Sequence, residues 1–222
     1  MHRLAVIPGD LSDQLPALVE QTAAPFLFLS SADSDLSLLA KQKPSVPIRA
    51  LNIQALEHPA AVDHYLRSTV SKARLVLVRL LGGRGHWSYG IEQLREWARG
   101  DASRGLLIVS GTVEGEQELA SLGNFPDFIA IAIGQCLREG GAENMAQVMG
   151  CCSNWLAGEP LQPPEAIPQP DPYCFKWQPN PGPKVGLIFY RSLWSSADLD
   201  VLESCASAMR DVGLCPRLVL VS

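Results

Sequence analysis

Leu75-Val76-Leu77-Val78-Arg79-Leu80-Leu81-Gly82-Gly83 is the stretch whose reading decides the fold class. Its first four residues are apolar without alternation, and two of them are β-branched, as expected of a strand covered on both faces inside a parallel sheet. The Gly-Gly pair then breaks the strand. Runs of the same character occur at 26–29, 47–53 and 106–109, and another at 4–7 is closed by Pro8-Gly9. The segments between them carry helical spacing. These are 11–22, weakened by Pro16; a helix with Leu36, Leu39 and Ala40 behind the cap residues Ser30-Ser31-Ala32-Asp33; 58–73, with Val62, Tyr65, Leu66, Thr69 and Val70 on one face; and 91–99. Strand and helix in alternation predict a doubly wound, mostly parallel α/β sheet with five strands up to Val109.

Beyond Val109 the pattern turns helical, over 125–139 and 142–156, with Gly140-Gly141 and Gly158 as stops. Prolines then fall at 160, 163, 164, 168, 170, 172, 179, 181 and 183. A segment so rich in proline sustains no helix and reads as an extended, semi-rigid linker, with Phe175 and Trp177 packing on a domain surface. A strand at 185–190, a helix at 199–212 with Leu202, Cys205, Ala206 and Met209 facing inward, and a strand at 218–221 follow. The expected organisation is an α/β domain over 1–157, a linker over 158–183, and an incomplete second α/β domain over 184–222. One β-α-β unit buries too little to stand alone.

Composition narrows the function classes. The 222 residues are 47% hydrophobic and 18% charged, enough to bury a sizeable core. A net charge of −5 with no Lys/Arg-rich run argues against a nucleic-acid partner. The apolar runs are too short to span a membrane, and the first residues lack the layout of a secretory signal, which points to the cytoplasm. Cys136, Cys151, Cys152, Cys174, Cys205 and Cys215 contain no CxxC pair and have no neighbouring His, so they read as free thiols acting as small hydrophobes.

The candidate ligand or interface residues cluster at strand ends. Arg79, Gly82 and Gly83 lie where open α/β sheets place ligands, and glycines let backbone N–H groups approach an anion or another chain. The same residues also read as a strand-terminating turn. His86, Trp87 and Tyr89 on the following loop could touch a flat aromatic or macrocyclic ligand, or simply cap the sheet. His86 has no second metal ligand in sequence reach. Ser110-Gly111-Thr112 reads as a turn at the same edge. Arg191, at the end of the first strand after the linker, could pair with a carboxylate, a phosphate or the first domain. There is no GxGxxG, no Walker loop, no HExxH and no Ser-His-Asp arrangement, so no catalytic residue and no metal ligand is assigned.

Several stretches together resemble the N-terminal end of the large subunit of aerobic cobaltochelatase (the CobN type), a relative of the magnesium chelatase H subunit. They are 26–36, 56–63, 75–83 with 87–90, 140–144, and 185–191 centred on Ile188-Phe189-Tyr190-Arg191. The resemblance covers essentially the whole chain, and the strand-Gly-Gly-aromatic block is its most specific part. It implies a role in cobalamin synthesis, where the large subunit takes the corrin hydrogenobyrinic acid a,c-diamide and Co²⁺, while two AAA-type subunits hydrolyse ATP with Mg²⁺. It also implies that this chain is not catalytic alone and binds no cofactor itself. A stand-alone tetrapyrrole-binding module and a magnesium chelatase H-type fragment are the alternatives. The family tends to follow its Phe-Tyr-Arg strand with a Gly-Asn/Asp-Thr turn, where this chain has Trp194-Ser195-Ser196-Ala197-Asp198.

Overall fold

A computed structural model describes residues 17–169 and 181–221. The expected strand at 4–7, the first part of the helix at 11–22, and Phe175 and Trp177 lie outside the described residues. Four parallel strands form the main sheet: β1 (Phe26–Ser30), β2 (Ile48–Asn52), β3 (Leu75–Leu80) and β4 (Gly105–Ser110), in the order β2-β1-β3-β4. Phe28 is opposite Ala50 on one side and Leu77 on the other, and Leu77 is opposite Leu107.

Every residue of β1, β3 and β4 is buried. Alternation of side chains divides these strands between two cores. Leu27, Leu29, Val76 and Val78 pack with Val62 and Tyr65 of α2 (Pro59–Ser68) and with Ile91, Leu94 and Trp97 of α3 (Ser88–Arg99). Phe26, Phe28, Leu75 and Leu77 pack with Leu38 and Leu39 of α1 (Asp33–Ala40), Ile133 of α5 (Asp127–Glu139) and Val148 of α6 (Gly141–Leu156). Steps in opposite directions along the sheet cross opposite faces, as a single handedness of connection requires. The chain steps from β1 to β2 over the α1 face, returns across β1 to β3 over the α2 face, and continues to β4 over the α3 face.

Three local features differ from the sequence reading. Residues 17–22 are not helical. The Gln21 amide Nε2 donates to the Ala50 carbonyl at 3.0 Å, its Oε1 accepts from the Tyr65 hydroxyl at 2.7 Å, and its backbone N–H donates to Thr69 Oγ1 at 3.3 Å. These tertiary bonds hold the segment irregular against α2. The helix expected over 58–73 stops at Ser68, and a single tight turn at Val70–Lys72 replaces its end. Short helices not foreseen occur at α4 (Glu116–Ala120) and α7 (Arg191–Ser195).

Residues 159–169 have neither helix nor strand and lie on α6. There Asn144, itself buried, donates to the Ile167 carbonyl at 2.9 Å and accepts from the Ile167 N–H at 2.9 Å. A second, two-stranded parallel sheet joins β5 (Lys184–Tyr190) to β6 (Cys215–Val221), with α7 and α8 (Asp200–Asp211) between them. Its small core holds Phe189, Leu202, Ala206, Leu218 and Leu220. Cys205, expected to face inward, is exposed on α8. Among the described residues no helix is long and apolar enough to cross a membrane.

Candidate functional site

The winding reverses between β1 and β3, and the crevice outside their carboxyl ends is where a sheet of this class offers a ligand site. Here that crevice is stitched shut. The Ser31 N–H donates to the Arg79 carbonyl at 3.1 Å, and the Ser31 hydroxyl accepts from the Leu81 N–H at 2.9 Å. Beneath it Arg79 Nη1 pairs with Asp35 Oδ1, and the Ser30 hydroxyl donates to Asp35 Oδ2. Arg79 and Asp35 are both buried. Burial pushes the Asp35 carboxyl above the ordinary carboxylate range, against the pull of the Arg79 charge and the Ser30 hydroxyl. The Arg79 guanidinium is therefore committed to Asp35, and joins β3 to the first turn of α1. Asp35 is a residue that sequence reasoning missed. A carboxylate in the first turn of a helix reads as a surface residue favoured by the helix dipole, and only tertiary packing brings it to Arg79.

An open cleft lies beside the closed crevice. It measures about 380 Å³ and runs between the turn after β2 (Ile53–Leu56) and the loop after β3. Gln54, Glu57, His86, Trp87 and Tyr89 are among its walls. Gly83, at φ 70°, adopts a left-handed conformation that turns the chain out of the strand. Gly82 gives room to His86, because a Cβ added there would sit 3.0 Å from the imidazole. Trp87 is buried, and its indole N–H donates to the Leu56 carbonyl at 2.9 Å. Its ring packs against Gly90, where a Cβ would fall 2.1 Å from the indole. Tyr89 donates its hydroxyl to Asp63 at 2.7 Å, and that bond to a carboxylate raises the phenol's pKa.

The structure thus brings His86, Trp87 and Tyr89 to one cleft, with Gly82 and Gly83 shaping its loop. Arg191 is not among the residues lining it. It opens α7 in the second unit, half-buried.

A second cleft, of about 410 Å³, lies between the two units and was not foreseen. The start of α6, Ile167, Pro168, Trp194, Ala197 and Leu199 line it. Gly140 and Gly141 sit at φ 73° and 82°, and Cβ atoms there would come within 2.7 Å of Ser195 and 2.9 Å of Trp194. The Gly-Gly pair, legible as a helix stop, is therefore also the surface on which the second unit rests. Lys41 Nζ closes the contact by donating to the Ala197 carbonyl at 2.8 Å, with Asp198 at 3.7 Å. Among the described residues no group of three or more His, Cys, Asp or Glu side chains is arranged to hold a metal ion.

Taken together, the chain is a doubly wound α/β unit with a closed switch point, joined to a smaller β-α-β unit. Comparison with known proteins places it among relatives of the aerobic cobaltochelatase subunit CobN. It is 32% identical to that subunit from Pseudomonas aeruginosa over 97% of this chain, and 26% identical to the Sinorhizobium sp. subunit over 100% of it. It spans about a fifth of the length of these relatives, 19% of each. No family model matches. The catalytic subunit of cobaltochelatase from Mycobacterium tuberculosis has the same fold, with a TM-score of 0.64 and 23% identity over 89% of this chain and 16% of that one.

Proposed function

We propose that the chain serves as a non-catalytic module of a cobaltochelatase large subunit. In this reading it contributes to ATP-dependent insertion of Co²⁺ into a corrin ring, together with the remainder of the subunit and two AAA-type partners. The observation that carries it is the match to a named cobaltochelatase subunit along nearly the entire chain. Co²⁺ and the corrin are substrates of the whole assembly, and ATP belongs to the partner subunits.

The test is exchange. The matched portion of the Pseudomonas aeruginosa subunit is replaced by this chain, and cobalt insertion is assayed with the partner subunits present. Restored insertion is the expected result. A folded chimera without activity, beside an active parent, would sink the reading.

A second reading, a tetrapyrrole-binding module acting alone, is favoured by the cleft at His86, Trp87 and Tyr89. Its volume stands near the lower end of the roughly 300–1,000 Å³ typical of ligand pockets, so it would grip one edge of a macrocycle. Titration of the chain with hydrogenobyrinic acid a,c-diamide and with protoporphyrin separates the readings. The module reading expects no saturable micromolar binding by either. Binding that His86→Ala weakens favours the second reading, and protoporphyrin alone would point to the magnesium branch.

A further inference from the structure

We propose that the open face and free edge of β5 form a docking surface for a helix-strand segment, of the kind supplied by the part of the cobaltochelatase relatives that lies outside the matched portion. The two sheets of this molecule make the contrast. Strands β1 and β3 are parallel and buried on both faces. Strands β5 and β6 are also parallel, but among the described residues the face of β5 turned away from α8 is exposed at Lys184, Gly186, Ile188 and Tyr190, while on the same face of β6 Val219 is half-buried and Cys215 buried. Phe189, Leu218 and Leu220 face α8 and pack on Leu202 and Ala206. The register sets Ile188 opposite Val219 and Tyr190 opposite Val221 on the other face. Ile188 is 69% exposed and Tyr190 72%. Parallel sheets are covered on both faces in almost all known folds, because each strand is flanked by crossover helices.

Chain handedness selects the edge. The α8 crossover already covers the face used when the chain steps from β5 to β6. A right-handed connection that lays a helix on the opposite face must lead to a strand on the far side of β5. The first unit shows this in the same molecule: α1 covers one face between β1 and β2, and α2 crosses the other face to deliver β3 to the far edge of β1. By the same geometry the occupant is an amphipathic helix on Ile188, Val219, Tyr190 and Val221, followed by a strand hydrogen-bonded to the free edge of β5. Among the described residues β5 pairs only with β6. A source for such a segment is at hand, since the match occupies only 19% of each relative. The proposal does not depend on the metal-insertion reading, because docking without activity satisfies the first and refutes the second.

The experiment titrates this chain with the polypeptide of the Pseudomonas aeruginosa subunit that lies outside the matched portion. That polypeptide's competence is established by its capture of the relative's own matched portion, and the intact subunit carrying this chain in exchange provides a single-polypeptide version. Saturable binding is expected, with at least tenfold slower amide exchange across 184–190. Ile188→Asp and Tyr190→Asp should each weaken binding tenfold or more without changing the chain's own melting temperature, since both side chains are exposed. Val201→Asp, on the outer side of α8, should leave binding unchanged. Protection confined to 215–221, indifference to both β5 substitutions, or pairing of two copies of this chain through β5 would overturn the proposal. So would failure to bind a competent polypeptide.

Discussion

Arg79 sits where a ligand-binding arginine would sit in a sheet of this class, and its surroundings give it a different task. Paired with Asp35 below the surface, it bolts β3 to α1. Removing one partner of such a pair strands a buried charge. Arg79→Met should therefore cost about 3–5 kcal/mol at pH 7, while the double variant Asp35→Leu/Arg79→Met should recover most of that loss. The pH dependence has a defined sign. A carboxyl whose folded pKa lies above its ordinary 3.8 costs stability as pH rises through the interval between the two values, and costs nothing below 3.8. Loss of Arg79 removes the charge that lowers the Asp35 pKa, so this interval widens upward. Urea unfolding should show a smaller deficit for Arg79→Met at pH 4 than at pH 7; equal deficits would contradict the buried pair. Gly90 offers a second test at this scale. Gly90→Ala drives a methyl into the Trp87 indole and should cost about 1–3 kcal/mol, with a red-shifted tryptophan emission as the Leu56 bond breaks.

Elements are held by contacts that local sequence does not announce. The Pro-rich segment reads in the sequence as an extended, semi-rigid linker, and its described part is pinned to α6. Asn144 makes the bonds: besides the two to Ile167, its amide donates to the Gly140 carbonyl at 2.7 Å. Asn144→Ala strands buried backbone groups and should cost about 1–3 kcal/mol. Amide exchange over 159–169 should accelerate before that of α6 itself. The turn after α7 carries the opposite signature. Ala197 is held at φ 54°, a conformation that costs an L residue about 1–2 kcal/mol. This is the stretch where the resemblance implies a glycine-containing turn and the sequence has Trp194-Ser195-Ser196-Ala197-Asp198. Ala197→Gly should raise the melting temperature, and an unchanged value would show that the surroundings already relieve the strain.

The molecule as a whole is uneven in its cores. The main sheet is sandwiched between two continuous hydrophobic clusters, while the β5-β6 unit rests on a core cluster of five buried side chains and on its contact with Gly140, Gly141 and Lys41. Local stability follows buried apolar contact. Hydrogen exchange should therefore proceed by early opening of 184–221, with β1, β3 and β4 exchanging last. Equal protection in both units would mean that the interface, and not the small core, governs the second unit.

Periodicity in the sequence determined the strand-helix alternation, the parallel sheet and the restart after the prolines. A fully apolar run such as Leu75-Val76-Leu77-Val78 has few stable homes outside a doubly covered strand. Gly82-Gly83 and Gly140-Gly141 were legible as breaks for the same local reason, the freedom of glycine at positive φ. The clustering of His86, Trp87 and Tyr89 on one loop was legible too, because they are neighbours in the chain, whereas the opposite wall of the cleft, with Gln54 and Glu57, was not. What only the tertiary structure decided depends on residues far apart in sequence. The pairing of Arg79 with Asp35, the tether of Gln21 to Thr69, the seat of Trp194 on Gly141 and the open face of β5 each join segments that no local pattern couples. A carboxylate, an amide or a glycine has the same propensities whichever partner it meets, and it is the packing of the sheet that brings the partners together.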